Sequence, residues 1–399
     1  MRVGDFVLEP ALLAREYGYL DNVVFVDICS VAMPPQRVRE AYGSFMDAYV
    51  NAYGRGLLTS SGKIVAEARV NLSRLVNSKE QEIGFTKNTC EGISILASGF
   101  SFEPGDNVVV SDQEHPSNML PWINARQRGI ELRVVPSFGP TISVPEIIAL
   151  TDSRTRIIAI SAAQFSNGFL VDLALLGSEC NRRGIHLAVD AIQVLGRMPI
   201  DVQSLGIGYL SAGGNKGLLG TLGSGVVYCR SDLAEMITPP YAGYQSVVNS
   251  VAPPSRVTNF ENLNWHPSAQ RFESGNLNFN GIQAMSLGVS LILELGVQNI
   301  AQWTRALEDY LREKLTSLDL DVIELPEAHR SGTICINIST AHQESIASFL
   351  LEHGVYATVR AGTIRMSLGF YNTFEQMDRL ITALRAVARI TRPTAQQES

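Results

Sequence analysis

Lys216 stands in the stretch Tyr209-Leu-Ser-Ala-Gly-Gly-Asn-Lys-Gly-Leu-Leu-Gly-Thr-Leu-Gly-Ser-Gly-Val-Val-Tyr228, with almost no other charge around it. It is one of only five lysines in a chain with 32 basic residues. Most lysines are solvated surface charges, but glycines on both sides let backbone approach closely and aim the amine into a pocket. Burial lowers the pKa of an amine, which a nucleophilic or Schiff-base lysine requires.

Upstream, His186-Leu-Ala-Val-Asp190-Ala-Ile-Gln193 puts a carboxylate at the end of an apolar run, with Gln193 three residues on. A lone strand-end Asp is often a helix cap. Paired with a Gly-set lysine, Asp190 suggests the two contacts that a pyridinium aldehyde needs, a carboxylate at the ring nitrogen and a lysine at the carbonyl. Glu114-His115-Pro-Ser-Asn118 supplies a ring that could stack on a flat cofactor, and Asn88-Thr89-Cys90-Glu91-Gly92 opens a helix whose free N–H groups can bind phosphate. Each has a bland structural reading, and the four in this order are stronger than any one.

From residue 83 the chain alternates strand, turn and helix. Strands are expected at Ile83–Thr86, Asn107–Ser111, Leu132–Val135, Ile157–Ser161, His186–Asp190, Leu205–Ser211 and Gly225–Cys229. This alternation predicts a mostly parallel, doubly wound α/β sheet, whose ligands lie at the C-terminal strand ends. That rule selects the loops after residues 86, 111, 161, 190 and 211. Residues 240–280 read as an ordered excursion, and 391–399 as a frayed tail. A helix near Gly281–Leu295 leads to a second unit with strands at Thr333–Ser339 and Thr363–Ser367.

The 399 residues, 45% apolar and 18% charged, exceed one comfortable core. A net charge of −7 without charge blocks makes nucleic acid and anionic membrane poor partners. No apolar run is long enough to span a bilayer, and acids come too early for a signal peptide. Five scattered cysteines without metal or redox spacing fit a reducing cytoplasm.

With these residues on the page, the chain resembles the class V aminotransferase family, fold-type I pyridoxal-phosphate enzymes that include cysteine desulfurases, cysteine C–S lyases and isopenicillin N epimerase-like proteins. The strings that carry the likeness are Asn118-Met-Leu-Pro-Trp122, Val189-Asp-Ala-Ile-Gln193, Asn215-Lys-Gly-Leu-Leu-Gly220, Arg271-Phe-Glu-Ser-Gly275 and Ser367-Leu-Gly-Phe-Tyr-Asn-Thr373. The resemblance implies a large cofactor domain over 21–283 and a smaller α+β C-terminal domain over 284–399, joined by 1–20. It implies pyridoxal 5'-phosphate as cofactor, an amino-acid substrate and a homodimer with shared active sites.

Carried over by position, Lys216 would bind the cofactor aldehyde and move protons at the substrate Cα. Asp190 would hold the pyridine nitrogen, His115 would stack on the ring, and Gln193 and Asn167 would lie near its phenolic oxygen. Asn88, Thr89, Cys90, Ser211 and Asn215 fall at the phosphate side, and Asn276 at a position offered from the other subunit. Arg365 would grip the substrate carboxylate, and Arg55 would line the entrance. Gly213, Asn215, Cys90 and Asn276 depart from the family's usual hydroxyl and histidine residues.

Within that family, the persulfide-forming cysteine of desulfurases should precede Arg365, yet residues 352–362 contain no Cys. The expectation is therefore β-elimination on a cysteine S-conjugate, of C–S lyase type, possible in specialised metabolism. Aminotransfer and decarboxylation-dependent deamination stand close behind. Epimerisation is weaker, because Lys216 is the one evident base. A regulatory protein on the same fold is the non-enzyme alternative.

Overall fold

The computed structural model describes residues 2–4, 6–55, 57–137, 139–248, 251–252, 256–257 and 261–391. Residues 392–399 of the expected tail and Pro253-Pro254 therefore lie outside the described residues, while Thr391 ends a helix.

In chain order, α1 (Pro10–Tyr17) leads to β1 (Val24–Phe25), α2 (Gln36–Asn51) and α3 (Leu57–Val76). The alternating region follows as β2 (Ile83–Thr86), α4 (Thr89–Gly99), β3 (Asn107–Ser111), α5 (Pro116–Ala125), β4 (Glu131–Val135), α6 (Val144–Ala149), β5 (Thr155–Ser161), α7 (Leu173–Arg183), β6 (His186–Asp190), β7 (Ile207–Gly213) and β8 (Gly225–Cys229). These strands form one seven-stranded sheet in the order β2-β8-β7-β6-β5-β3-β4. Only β8 runs antiparallel to its neighbours. The central strands are largely apolar and buried, as a sheet covered on both faces demands, with His186 at the start of β6 half-buried.

Local chemistry fixes the helix starts. Asn88 caps α4 by accepting from Glu91 N at 2.9 Å, and Asp172 caps α7 in the same way. Gly184, at φ 68°, ends α7 in the left-handed region. The strand expected at Leu205–Ser211 lies two residues later, because Gly206 at φ 62° breaks the extended backbone before Ile207.

After α8 (Ser231–Glu235), the excursion leads to α9 (Phe279–Leu295), which packs on α2 and α3, and to α10 (Val297–Leu315). A second sheet follows, built from β9 (Asp321–Val322), β10 (Thr333–Asn337), β12 (Thr358–Arg360) and β13 (Thr363–Ser367) in the order β9-β10-β13-β12. Helix α11 (Gln343–Glu352) and strand β11 (Val355–Tyr356) lie between β10 and β12, and α12 (Phe374–Thr391) closes the chain. Strand β11 pairs in parallel with β1, so an early strand of the chain is tied to its last quarter. No single helix among the described residues is long and apolar enough to cross a membrane.

Candidate active site

The C-terminal ends of β2, β3, β5, β6 and β7 share one edge of the large sheet, where the registers align Ser161 with Asp190 and Asp190 with Ser211. Asp190 is 2% exposed, and its carboxylate accepts one hydrogen bond, from Ile192 N at 3.0 Å. Burial pushes it up to about 7, and the nearby charge of Glu114 adds to the shift.

Lys216 follows β7 by three residues. Its amine has no hydrogen bond or ion pair among the described residues. Burial pulls it below its ordinary value, against the opposing charges of Cys29 and Asp190. A Cβ on Gly217 would meet Leu195 O at 2.2 Å, and one on Gly196, at φ 83°, would meet Gly217 O at 2.3 Å. Two glycines therefore press the Lys216 turn directly onto the Asp190–Arg197 turn.

His115 caps α5, accepting from Ser117 N at 3.1 Å, and meets Phe165 edge-on at 4.8 Å. Burial, Lys216, Arg360 and Arg365 all hold its pKa down, which favours the neutral imidazole. Gln193 donates from Nε2 to Cys29 O at 3.2 Å, while its buried Oε1 has no partner. Asn167 is committed to backbone at both ends, donating to Pro140 O and accepting from Phe169 N.

At the start of α4, Thr89 is buried and its hydroxyl accepts from Gly213 N at 2.9 Å. Ser211, fully buried, donates to Thr89 O at 3.1 Å. This knot ties the helix N-terminus to the end of β7. Asn88 and Cys90 are exposed beside it. Asn215 accepts from Ala32 N through its backbone carbonyl, which joins the lysine turn to the loop after β1.

Arg365, 4% exposed on β13, donates to Phe165 O at 2.5 Å, Ser30 Oγ at 2.7 Å and Thr358 Oγ1 at 3.2 Å. Asp27 lies 3.5 Å from it, and its Nε is buried without a partner. Lys216, Asp190, His115, Gln193 and Arg365 are thus gathered in one place. Arg55 and Asn276 are not. Arg55 is exposed on the turn after α2, and Asn276 accepts from Tyr244 Oη beside a 240 Å³ cavity lined by Thr86, Lys87 and Gly223.

Sequence reasoning missed three residues here. Glu114 had a signal, its place beside His115 after β3. Cys29 and Arg197 had none, because they meet across 168 residues at 3.7 Å.

The donor set fits pyridoxal phosphate. A buried carboxyl with a single donor suits a protonated ring nitrogen, a partnerless amine suits an aldehyde, and the open Oε1 of Gln193 and the N-terminus of α4 suit a hydroxyl and a phosphate. Fold and site together define a pyridoxal-phosphate-dependent enzyme of fold type I. An aminotransferase class-V family model matches residues 24–380, and the chain belongs to that family. A cysteine desulfurase of Klebsiella pneumoniae is 30% identical, over 92% of this chain and 94% of the relative. Among solved structures, the apo cysteine desulfurase of Thermococcus onnurineus NA1 superposes with a TM-score of 0.85 at 22% identity, covering 96% of this chain and 99% of that one. The cystine C–S lyase C-DES, in complex with its reaction product cysteine persulfide, gives a TM-score of 0.84 at 20% identity, covering 93% and 99%.

Proposed function

We propose that this enzyme cleaves the Cβ–S bond of a cysteine S-conjugate by β-elimination. Pyridoxal phosphate, when bound, supplies an electron sink for negative charge at the Cα of an amino acid. With the group bound, Asp190 would hold a proton on the ring nitrogen, and His115 would lie over the ring. Arg365 grips the α-carboxylate as a planar fork, orienting the Cα hydrogen toward Lys216. The Lys216 amine, held neutral more readily by burial, takes that proton, and the thiolate at Cβ departs.

The observation that carries this choice is the state of the cysteines. Residues 352–362 contain none, and Cys335, 1% exposed on β10, is pushed up to about 12 by burial. A thiol of that kind is a poor nucleophile, so a lyase is favoured over persulfide transfer. The names of the relatives, cysteine desulfurase and cystine C–S lyase, support sulfur chemistry at Cβ. Assaying S-alkyl cysteines for pyruvate and thiol tests the reading. Pyridoxamine phosphate accumulating without pyruvate would point instead to aminotransfer.

A homodimer is part of this reading. Met46, Tyr49, Val50 and Tyr53 are exposed at the exit of α2, and Leu222, 75% exposed, follows Thr221, which Tyr42 of α2 engages. Such an apolar patch beside Arg55 suits a second copy of the chain. Sedimentation at monomer mass would remove this part of the reading.

A further inference from the structure

Arg197 is a buried cation without a carboxylate. It is 5% exposed, and its Nη1 donates to Gln193 O at 2.8 Å. Its Nη2 donates to Ser331 O at 3.0 Å and Leu368 O at 3.2 Å, and its Nε has no partner. No ion pair with Asp or Glu involves it among the described residues. A guanidinium taken out of water with only carbonyl dipoles around it is costly, so an anion is missing from this count.

The group in contact that can ionise is Cys29, 3% exposed, whose Sγ lies 3.7 Å from Arg197 Nη1 and 3.4 Å from Thr333 Oγ1. Its N–H donates to Ser367 Oγ at 2.8 Å, and its carbonyl accepts from Gln193 Nε2 at 3.2 Å. Gln193 is thus held from both sides, by Cys29 at its side-chain amide and by Arg197 at its backbone carbonyl. The open, buried Gln193 Oε1 awaits a donor from whatever binds between Lys216 and Asp190.

We propose that Cys29 is a thiolate paired with Arg197, and that this pair is a positioning element that holds Gln193 and supplies negative charge to Lys216. Arg197, Arg365 and Lys216 are the cations facing Cys29, and Asp27 and Asp190 are the carboxylates of the same cluster. Cys335 also faces it and stays a neutral thiol, because burial raises it. Glu114 acts on Asp190 and Arg360 on His115 in the same pocket, so the pairing rests on the Arg197–Cys29 contact itself. Burial opposes ionisation of Cys29, but Arg197 and Arg365, with hydrogen bonds from Thr333 and Ser367, outweigh it and hold the thiol below its ordinary value. The ion pair stands without the cofactor, whereas its action on Lys216 rests on the function proposed above.

The test uses the cofactor-free protein first. Thiolate ultraviolet absorbance is titrated in wild type and in Cys29→Ser, and the difference is read. Thiolate absorbance already present at pH 7, with a midpoint well below the free-cysteine value of about 8.5, is expected, and Arg197→Met should raise it by roughly one pH unit or more. A midpoint at or above the free value, or one unmoved by Arg197→Met, overturns the pair. Cys29→Ala serves if the serine variant fails to fold. The same proteins are then loaded with pyridoxal phosphate and the visible band is titrated. Loss of the anion in Cys29→Ser should move its midpoint to lower pH, and Cys29→Asp should move it back. A band that titrates alike in all three overturns the action on Lys216. Absence of any band in wild type overturns the cofactor reading and leaves the thiolate titration intact.

Discussion

Glu114 and Asp190 are two buried carboxyls joined through a single strand-end residue. Ser161, the register partner of Asp190, donates its N–H to Glu114 at 2.9 Å and its hydroxyl at 2.5 Å. Asn118 and Gln164 add donors at 2.7 Å and 3.3 Å. Glu114 is therefore satisfied inside the protein, although burial raises its pKa. Asp190 takes one donor and is left able to receive a proton-bearing ligand.

That asymmetry gives a pH signature in the cofactor-free protein. Below the unfolded Asp pKa of about 3.9, both states are protonated and nothing is lost. As pH rises toward about 7, the unfolded chain ionises while the native one resists, so Asp190 costs stability progressively. Asp190→Asn should thus melt higher than wild type at pH 8, by at most about 4 kcal/mol, and the gap should close toward pH 4. A gap that ignores pH would contradict the buried, raised carboxyl.

Replacing Lys216 removes the aldehyde's partner and the base together. Lys216→Ala is expected to lose the visible band of lysine-bound cofactor and roughly 10²–10⁴-fold in rate, read by absorbance and turnover. Full activity in that variant would remove Lys216 from the reaction.

Arg365 reaches its neighbours with both terminal nitrogens, a geometry lysine cannot copy. Arg365→Lys should raise KM roughly 10–100-fold with a smaller change in kcat, the loss expected of one hydrogen bond to a charged group. A lowered kcat at constant KM would assign Arg365 to another task.

A Cβ on Gly92 would lie 2.2 Å from Ser211 Oγ and 2.7 Å from Val227 Cγ1. Gly92→Ala must push α4 off β7 and β8, so a loss of about 1–3 kcal/mol and weaker cofactor retention are expected. Ser98→Ala, on an exposed face of the same helix, is the control that should leave both unchanged.

Cys335 donates to Ser166 O at 3.4 Å from within β10. Cys335→Ser is expected to retain turnover, and mass spectrometry of the working enzyme should find no persulfide on it. A persulfide there would restore sulfur transfer as the reaction.

Where one segment carried the signal, the sequence was readable. Asn107–Ser111, His186–Asp190, Gly225–Cys229 and Thr363–Ser367 lie at the expected limits, because apolar runs bounded by caps and turns leave few alternatives. The gathering of Lys216, Asp190, His115 and Arg365 followed from the strand-end rule and the family strings. The pairing of Cys29 with Arg197 did not, since neither periodicity nor spacing relates residues that meet only after both sheets have formed. Nor could the sequence tell that Ser211 faces Thr89 O, or that Asn167 spends its amide on a turn, because side-chain direction depends on packing.

One wall of the pocket comes from the first thirty residues, yet it is stitched to the last fifty. Strand β1 pairs with β11, Asp27 bridges Ser367, and Ser30 meets Thr358 Oγ1 at 3.0 Å. On a ribosome adding about 5–20 residues per second, that early wall waits roughly 15–70 s for its partners to be made. A chain cut before β13 loses Arg365 and the clamp on Cys29 together, so truncation abolishes the site rather than trimming it.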